Sequence, residues 1–434
     1  MKKNIIIYLC FFGLMFFMST VMKAEMDEIW EYSFSYKISK GLLPYRNINM
    51  IVGPLYSLML TLPFFILPNN LLMYEIVHCF FYAAVFMFIY KKLGKNSIFI
   101  GLLLSCSVVM IGYNMFCTML FLIILLLLDS NFKYRNLIIG ILIGVIMMTK
   151  HNIGGILALV YFFTNKDKLK SIIYILIPVI PTLLYLCVNN ILYDYIDYCY
   201  LGMGSFTKNM STDFLSIIPF TYFVYKLIKI YKNNKDVKIL YILSFQIICF
   251  PILDMFHTVI GLIPILYYLF LNEYKDKNLM FSLKYFVLIG FVVSSFVIPI
   301  SILKLNLDSS AIGFQMIEKD KKDRINYYSN YLDKTKSKTY LLLIDASMIR
   351  IYRNEIPDHY DEFLRGNLGS NEEKFIKSMG KDCENKNCTF ILDKGYFRKK
   401  VILDQWIYEV RDYVVENYNF VEITPFDDRV YRNY

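Results

Sequence analysis

Residues 1–304 are a succession of apolar runs, each closed by a short polar turn, and no other feature limits the fold so severely. Lipid offers nothing to satisfy backbone N–H and C=O groups, so every run of bilayer length has to be a helix. The runs are Ile5–Met22, Leu71–Tyr90, Ser97–Gly112, Met115–Leu128, Leu137–Thr149, Ile153–Thr164, Ser171–Val188, Phe214–Ile230, Ile239–Leu253, Val259–Leu271 and Met280–Leu303. Spans of roughly 20 residues or somewhat fewer predict about eleven crossings. The expected fold is an α-helical polytopic membrane protein with a small α/β domain after it. At 57% hydrophobic and 17% aromatic, the chain departs from soluble composition in the direction this requires.

The charges orient the helices. KKLGK, NFKYR, NKDKLK, KNNKDVK and NEYKDK fall on alternate turns, hence on one side of the membrane. Basic turns mark the cytoplasmic side. The formal charge of +10 is spread over these clusters rather than gathered in a stripe, which argues against a nucleic-acid partner. The first run is long enough to span, and VMKAEM has no small-x-small cleavage site. It reads as an uncleaved span with a cytoplasmic N-terminus. Residues 1–304 then form a transmembrane catalytic domain in the cytoplasmic (inner) membrane, with a first external loop at 23–70. Residues 305–434 form an extracytoplasmic α/β domain.

Within that loop, Asp27, Glu28 and Glu31 place three carboxylates in five residues. Met26, Trp30, Phe34 and Ile38 recur at four-residue spacing, predicting a helix over 27–40 that lies along the interface. Gly41 and Pro44 end it. Gly53–Leu67, bracketed by Pro54, Pro63 and Pro68, predicts a juxtamembrane helix. Gly140-x-x-x-Gly144 predicts a close helix contact. In the tail, strands are expected at Tyr340–Ile344, Phe390–Leu392 and Phe420–Ile423, and helices at Glu372–Met379 and Gln405–Tyr418. Six of the nine cysteines lie in apolar runs, whereas Cys383 and Cys388 sit in the polar tail and suit a short-loop disulfide in an oxidising compartment.

Ionisable groups gather at external span ends: Arg46, Lys150, His151, Asp194, Asp197, Asp254 and His257 join the three acids. Each has a plain structural role available. An acid early in a helix caps it. Lys150-His151 suits a solvated turn, and Asp254 with His257 suits a paired helix end. Asp194 and Asp197, among tyrosines, suit an interfacial face. Glu75 and His78 are placed to pair with each other.

Together the groups fit one reaction class. A sugar joined through C1 to a polyprenyl phosphate carries a good leaving group, so cations suffice to stabilise its departure. The acceptor hydroxyl needs a base, and one base attacking opposite the phosphate inverts C1. Nucleotide sugars are cytoplasmic, so an external site takes a lipid-carried donor. Phosphate-loop, zinc-protease, nucleophile-elbow and dinucleotide patterns are missing from the sequence.

Asp27-Glu28, Gly41, Pro44-Tyr45-Arg46 and Gly53-Pro54-Leu55-Tyr56 resemble the GT-C integral-membrane glycosyltransferases. More narrowly they are similar to the bacterial family 39-type members related to protein mannosyltransferases and aminoarabinose transferases. Thr149-Lys150-His151-Asn152, the segment from Pro251 through Asp254 to His257, Gly366–Gly369 and the run from Gln405 to Tyr431 extend the likeness. The resemblance implies that Asp27 is the general base with Glu28 supporting it. Arg46, Lys150, His151, His257 and Asp254 become the expected donor site. The implied partners are a polyprenyl-phosphate-linked sugar, membrane lipid, and a glycan, lipid or protein acceptor. Two departures stand out: Asn47 follows Pro-Tyr-Arg where an aspartate is frequent, and Gly112-Tyr113-Asn114 lacks an acid that some relatives carry. No cofactor is expected, and a divalent metal gains no support. A polysaccharide polymerase or ligase, or a lipid or polysaccharide transporter, is the alternative reading.

Overall fold

A computed structural model describes residues 2–21, 26–68, 70–107, 111–202, 214–250, 253–272, 281, 284–285, 287–288, 305–307, 316–357, 368–370, 373–384, 386–397 and 406–433. Most of the expected Met280–Leu303 span lies outside them, as do Gly366 and Gln405.

The apolar runs are helices: α1 (Lys2–Val21), α4 (Leu71–Leu93), α5 (Ser97–Ser107), α6 (Tyr113–Leu128), α7 (Arg135–Met147), α8 (His151–Thr164), α9 (Lys168–Val188), α11 (Phe214–Asn234), α12 (Val237–Phe245) and α13 (Met255–Leu271). Between them lie α2 (Met26–Ser39), α3 (Leu55–Thr61) and α10 (Leu192–Ile196), the last running into a π-turn at Asp197–Leu201. Outward side chains such as Ile6, Leu9, Phe65, Ile66, Phe80, Phe88, Leu184 and Val188 are apolar and exposed, as lipid-facing positions must be. Among the described residues, three apolar helical stretches reach spanning length: Lys2–Ser19, Leu71–Leu104 and Lys168–Val188. Gly94, at φ +57°, folds the second back on itself, and Gly101 of α5 meets the Phe86 ring of α4. The other apolar helices found among the described residues have 10–17 residues, against the roughly 20 of a full crossing.

Gly140 and Gly144 bring α7 against α9. A Cβ on Gly140 would lie 2.5 Å from Tyr174 Cβ, and one on Gly144 would lie 2.3 Å from the Ile175 carbonyl oxygen. The close contact expected from their spacing is present. The predicted Glu75–His78 pair is not formed through the imidazole. Glu75 accepts from Ser19 Oγ at 3.1 Å, while the two His78 ring nitrogens meet Tyr56 Oη at 3.0 Å and the Tyr74 carbonyl at 2.7 Å.

The helix expected along the interface is α2, but it is internal. Every side chain from Glu28 to Lys37 is buried. One face packs on α3 and α4, and the tail helix α15 (Ala346–Tyr352) covers another. Serines explain how every face can be buried. Ser33, Ser35 and Ser39 return their hydroxyls to the carbonyls three residues back, at 2.7, 2.9 and 2.7 Å, and take little room.

In the tail, β1 (Leu305–Leu307) pairs antiparallel with β2 (Met316–Glu318). A second sheet, ordered β3-β4-β6-β5, comprises β3 (Lys338–Leu342), β4 (Cys388–Leu392), β6 (Arg429–Arg432) and β5 (Asn419–Ile423), with β3 and β4 parallel. Period-2 alternation divides its faces. Leu341, Ile391 and Val430 join the core that includes α2. Tyr340, Leu342, Phe390 and Tyr431 pack beneath α16 (Glu373–Cys383) and α17 (Tyr408–Asn417). Cys383 and Cys388 are disulfide-bonded, closing the turn between α16 and β4.

Arg324 of α14 (Lys319–Lys334) fastens this sheet. Its guanidinium bonds Asp345 at 3.2 Å, Asp393 at 2.6 Å and Asp428 at 2.9 Å, all three buried. Arg324→Leu should therefore cost about 3–5 kcal/mol, because three buried carboxylates lose their common counter-charge. Denaturant unfolding, or limited proteolysis of the tail within the full-length protein, measures it.

Candidate functional site

Three helix starts and the first loop converge on one place. Gly53 and Pro54 press the loop against the turn between α7 and α8. Gly53 N–H donates to the Thr149 carbonyl at 2.9 Å, and Leu55 N–H donates to the Met148 carbonyl at 3.2 Å. A Cβ on Gly53 would stand 2.1 Å from the Met148 carbonyl oxygen, so no other residue fits. Gly53→Ala should cost about 1–3 kcal/mol of stability. Gly155→Ala, with nothing within 4 Å of the new methyl, should be neutral. Thermal unfolding in detergent compares them.

This contact places Lys150 at the head of α8. Its Nζ donates to Asn114 Oδ1 at 2.7 Å and lies 5.5 Å from the centroid of the Tyr113 ring. Burial lowers its pKa to about 8, against the opposing pull of Cys117, Cys249, Glu31 and Asp254. Tyr113 N–H donates to Glu31 Oε2 at 2.8 Å. The carboxylate lies so close over Gly112 that a Cβ there would be 2.6 Å from Oε2. An anion at the open end of α6 answers the unpaired amides of a helix start.

Asp254 caps α13, accepting His257 N–H at 2.7 Å, and also meets His257 Nδ1 at 2.9 Å. Burial pushes its carboxyl up, but the His257 hydrogen bonds outweigh that and hold it below the usual value. His257 Nε2 is 3.4 Å from Asn114 Nδ2. The plain reading of this pair as a helix end holds, with a link to Lys150 added through Asn114.

Arg46 belongs to a neighbouring cluster. It donates to the Asn190 carbonyl and lies 3.8 Å from Asp194. Tyr45 packs on Tyr195 and Tyr198, Tyr195 meets Tyr200, and the Tyr200 ring packs on His151 with centroids 4.6 Å apart. A tyrosine layer therefore connects Arg46 to His151 and Lys150. Asp197, read as an interfacial residue, is buried and holds the tail: Ser370 N–H and Oγ both donate to it, and Lys374 lies 3.7 Å away.

Glu28 is buried and within electrostatic range of Tyr74, Cys79 and Tyr82 of α4. Glu31 is in range of Lys150 and Cys117. The Asp27 backbone is in α2, while its side chain falls outside the described residues. Sequence reasoning passed over Asn114. The signal available was its place at the second residue of an apolar helix, two positions after a glycine.

Below the Lys150 turn an apolar cavity of about 550 Å³ opens between α8, α11 and α12. Ile156, Phe163, Phe220, Leu243 and Phe250 are among its lining residues. None of the predicted site residues lines it. It begins one to two helical turns from His151, and Phe250 is four positions before Asp254. Among the described residues no group of three or more metal-ligating side chains occurs.

No protein-family model matches this chain, and no curated protein is detectably similar in sequence. Among solved structures it resembles ArnT from Cupriavidus metallidurans, both bound to undecaprenyl phosphate and in the apo state. Each comparison has a TM-score of 0.59 and 11% identity, covering 100% of this chain and 98% of the other. That likeness extends over the whole chain and establishes a shared fold.

Proposed function

We propose, taking the shared fold as premise, that this chain is an inverting glycosyltransferase of the outer face of the membrane. It moves a hexosyl or pentosyl unit from a polyprenyl-phosphate donor to a cell-envelope glycan, lipid or protein. The observation that carries the proposal is the position of Lys150: a cation at the head of α8, against the loop that bears the acids, on the helix that one to two turns further on lines an apolar groove. An isoprenoid chain suits the groove, and its phosphate would meet the ammonium. Binding of undecaprenyl phosphate by the ArnT structure supports the same assignment.

Asp27 lies four residues before Glu31 in α2 and serves as the base. The acceptor O–H proton passes to its carboxylate and the oxygen forms the new bond to C1. The C1–O bond to phosphate breaks, and its electrons leave with the phosphate, where Lys150 and Arg46 stabilise them. His151 borders the same space. Asp254 and His257 act behind Lys150. Glu31 supplies a carboxylate at the Gly112–Asn114 loop, whose own sequence lacks one. The Cys383–Cys388 bond fits a tail beyond the cytoplasm.

Purified protein in proteoliposomes should transfer labelled sugar from a polyprenyl-phosphate donor and not from a nucleotide sugar. The value of kcat/KM should fall as pH rises through about 8, because the free protein's Lys150 loses its proton there. Lys150→Arg should carry activity to higher pH, since a guanidinium stays charged. Transfer from the nucleotide sugar alone would refute the proposal.

A further inference from the structure

We infer that Asn114 is a positioning residue for Lys150, and that Asp254 and His257 fix the direction in which its amide faces; this rests on the reading of Lys150 as the ligand of the donor phosphate. Hydrogen-bond polarity sets each group in turn. Ionised Asp254 can only accept, and His257 Nδ1 lies 2.9 Å from its Oδ1, so Nδ1 carries the proton. An imidazole that carries its proton on Nδ1 offers a lone pair at Nε2. The group facing it, at 3.4 Å, has to be the N–H side of the Asn114 amide. The amide oxygen is thereby turned the other way, where it accepts from Lys150 Nζ at 2.7 Å.

Each link removes one freedom from the next. Reversing the amide would set an NH₂ against the ammonium and a carbonyl against the Nε2 lone pair, breaking both contacts. One ammonium N–H is committed to Asn114, which leaves two for an anion. The choice of an amide also has a reason. An aspartate at 114 would hold the lysine equally well but would cancel the charge that the phosphate needs. Asn114 is itself held at the start of α6, where Thr118 Oγ1 donates to its carbonyl at 2.9 Å and Glu31 takes the preceding N–H. The helix starts α6, α8 and α13 thus meet through one amide.

Binding of undecaprenyl phosphate to the full-length protein in nanodiscs, at neutral pH, tests the relay. Asn114→Ala should weaken binding about 10-fold or more, the usual scale for a residue that orients a ligand group. Lys150→Ala should weaken it further, and the double variant should bind no worse than Lys150→Ala alone, because Asn114 acts only through the lysine. His257→Gln keeps an acceptor for the amide and should stay near wild type, whereas His257→Leu should behave as Asn114→Ala does. If Asn114→Ala fails to insert, the uncharged and near-isosteric Asn114→Leu, which can accept no hydrogen bond from Lys150, takes its place in the cycle. Additive losses, or equal losses for His257→Gln and His257→Leu, overturn the relay and leave the donor site standing. Full binding by Lys150→Ala overturns the donor-site reading and the relay with it.

Discussion

Asp27→Asn should reduce sugar transfer by about 10²–10⁴-fold while the protein stays inserted and still binds its donor lipid. The substitution keeps the shape of the side chain and removes only its basicity, so the acceptor hydroxyl no longer has a proton acceptor when it attacks C1. Donor binding is the informative control. The phosphate is assigned to Lys150 and Arg46, which lie on other segments, so its affinity should hardly change. Glu28→Gln should have a much smaller effect, because the proton is assigned to Asp27 and Glu28 only supports it. Radiolabel transfer alongside lipid binding separates the two outcomes. Equal turnover by Asp27→Asn and wild type would remove Asp27 from the mechanism.

Lys150→Met should cost about 10²–10³-fold in kcat, with a weaker donor as well, because negative charge grows on the phosphate as the C1–O bond breaks. Methionine keeps the apolar stem and its packing while deleting the ammonium. Lys150→Arg should retain more activity than Lys150→Met, although the planar guanidinium reproduces the Asn114 contact poorly. Single-turnover measurements with saturating donor distinguish lost binding from slowed chemistry. A rise in KM with kcat unchanged would show that Lys150 only binds.

How much of this was legible in the sequence depended on the kind of residue carrying the signal. Apolar runs closed by lysines gave the helix positions from Leu71 to Leu271 to within a few residues, since lipid allows a long apolar run no other structure. The fate of α2 was not legible. Its four-residue apolar stripe predicted an interface helix, yet its other faces are buried too, with Tyr32 against Tyr74 of α4 and the tail helix α15, more than 300 positions away, covering another side. In the tail, α14 escaped notice because its sequence, KDKKDRINYYSNYLDK, is almost wholly polar. Only Ile325 and Tyr328 of that helix are buried, and Arg324, next to Ile325, carries the attachment. Strand β6 is short and charged at both ends, so alternation had little to act on.

The site divides in the same way. Lys150, His257 and Asp254 stood out as charges at span ends, and they are close together. Asn114 is neutral and gave no electrostatic sign; its importance comes from lying between two charges that only the fold brings near. Gly53 was visible as part of a short motif, but its reason is a backbone contact 2.1 Å from where a Cβ would be, with residues about a hundred positions on.

The most direct measurement of the central claim is mass spectrometry of lipids and envelope glycans from cells deleted for this chain and complemented with wild type or Asp27→Asn. A polyprenyl-monophosphate sugar should accumulate in the deletion and in the Asp27→Asn strain, while one sugar residue disappears from an envelope glycan, lipid or protein. Wild type should reverse both changes. An unchanged polyprenyl-phosphate sugar pool, with the glycan intact, would contradict the claim that this protein draws its sugar from a lipid carrier.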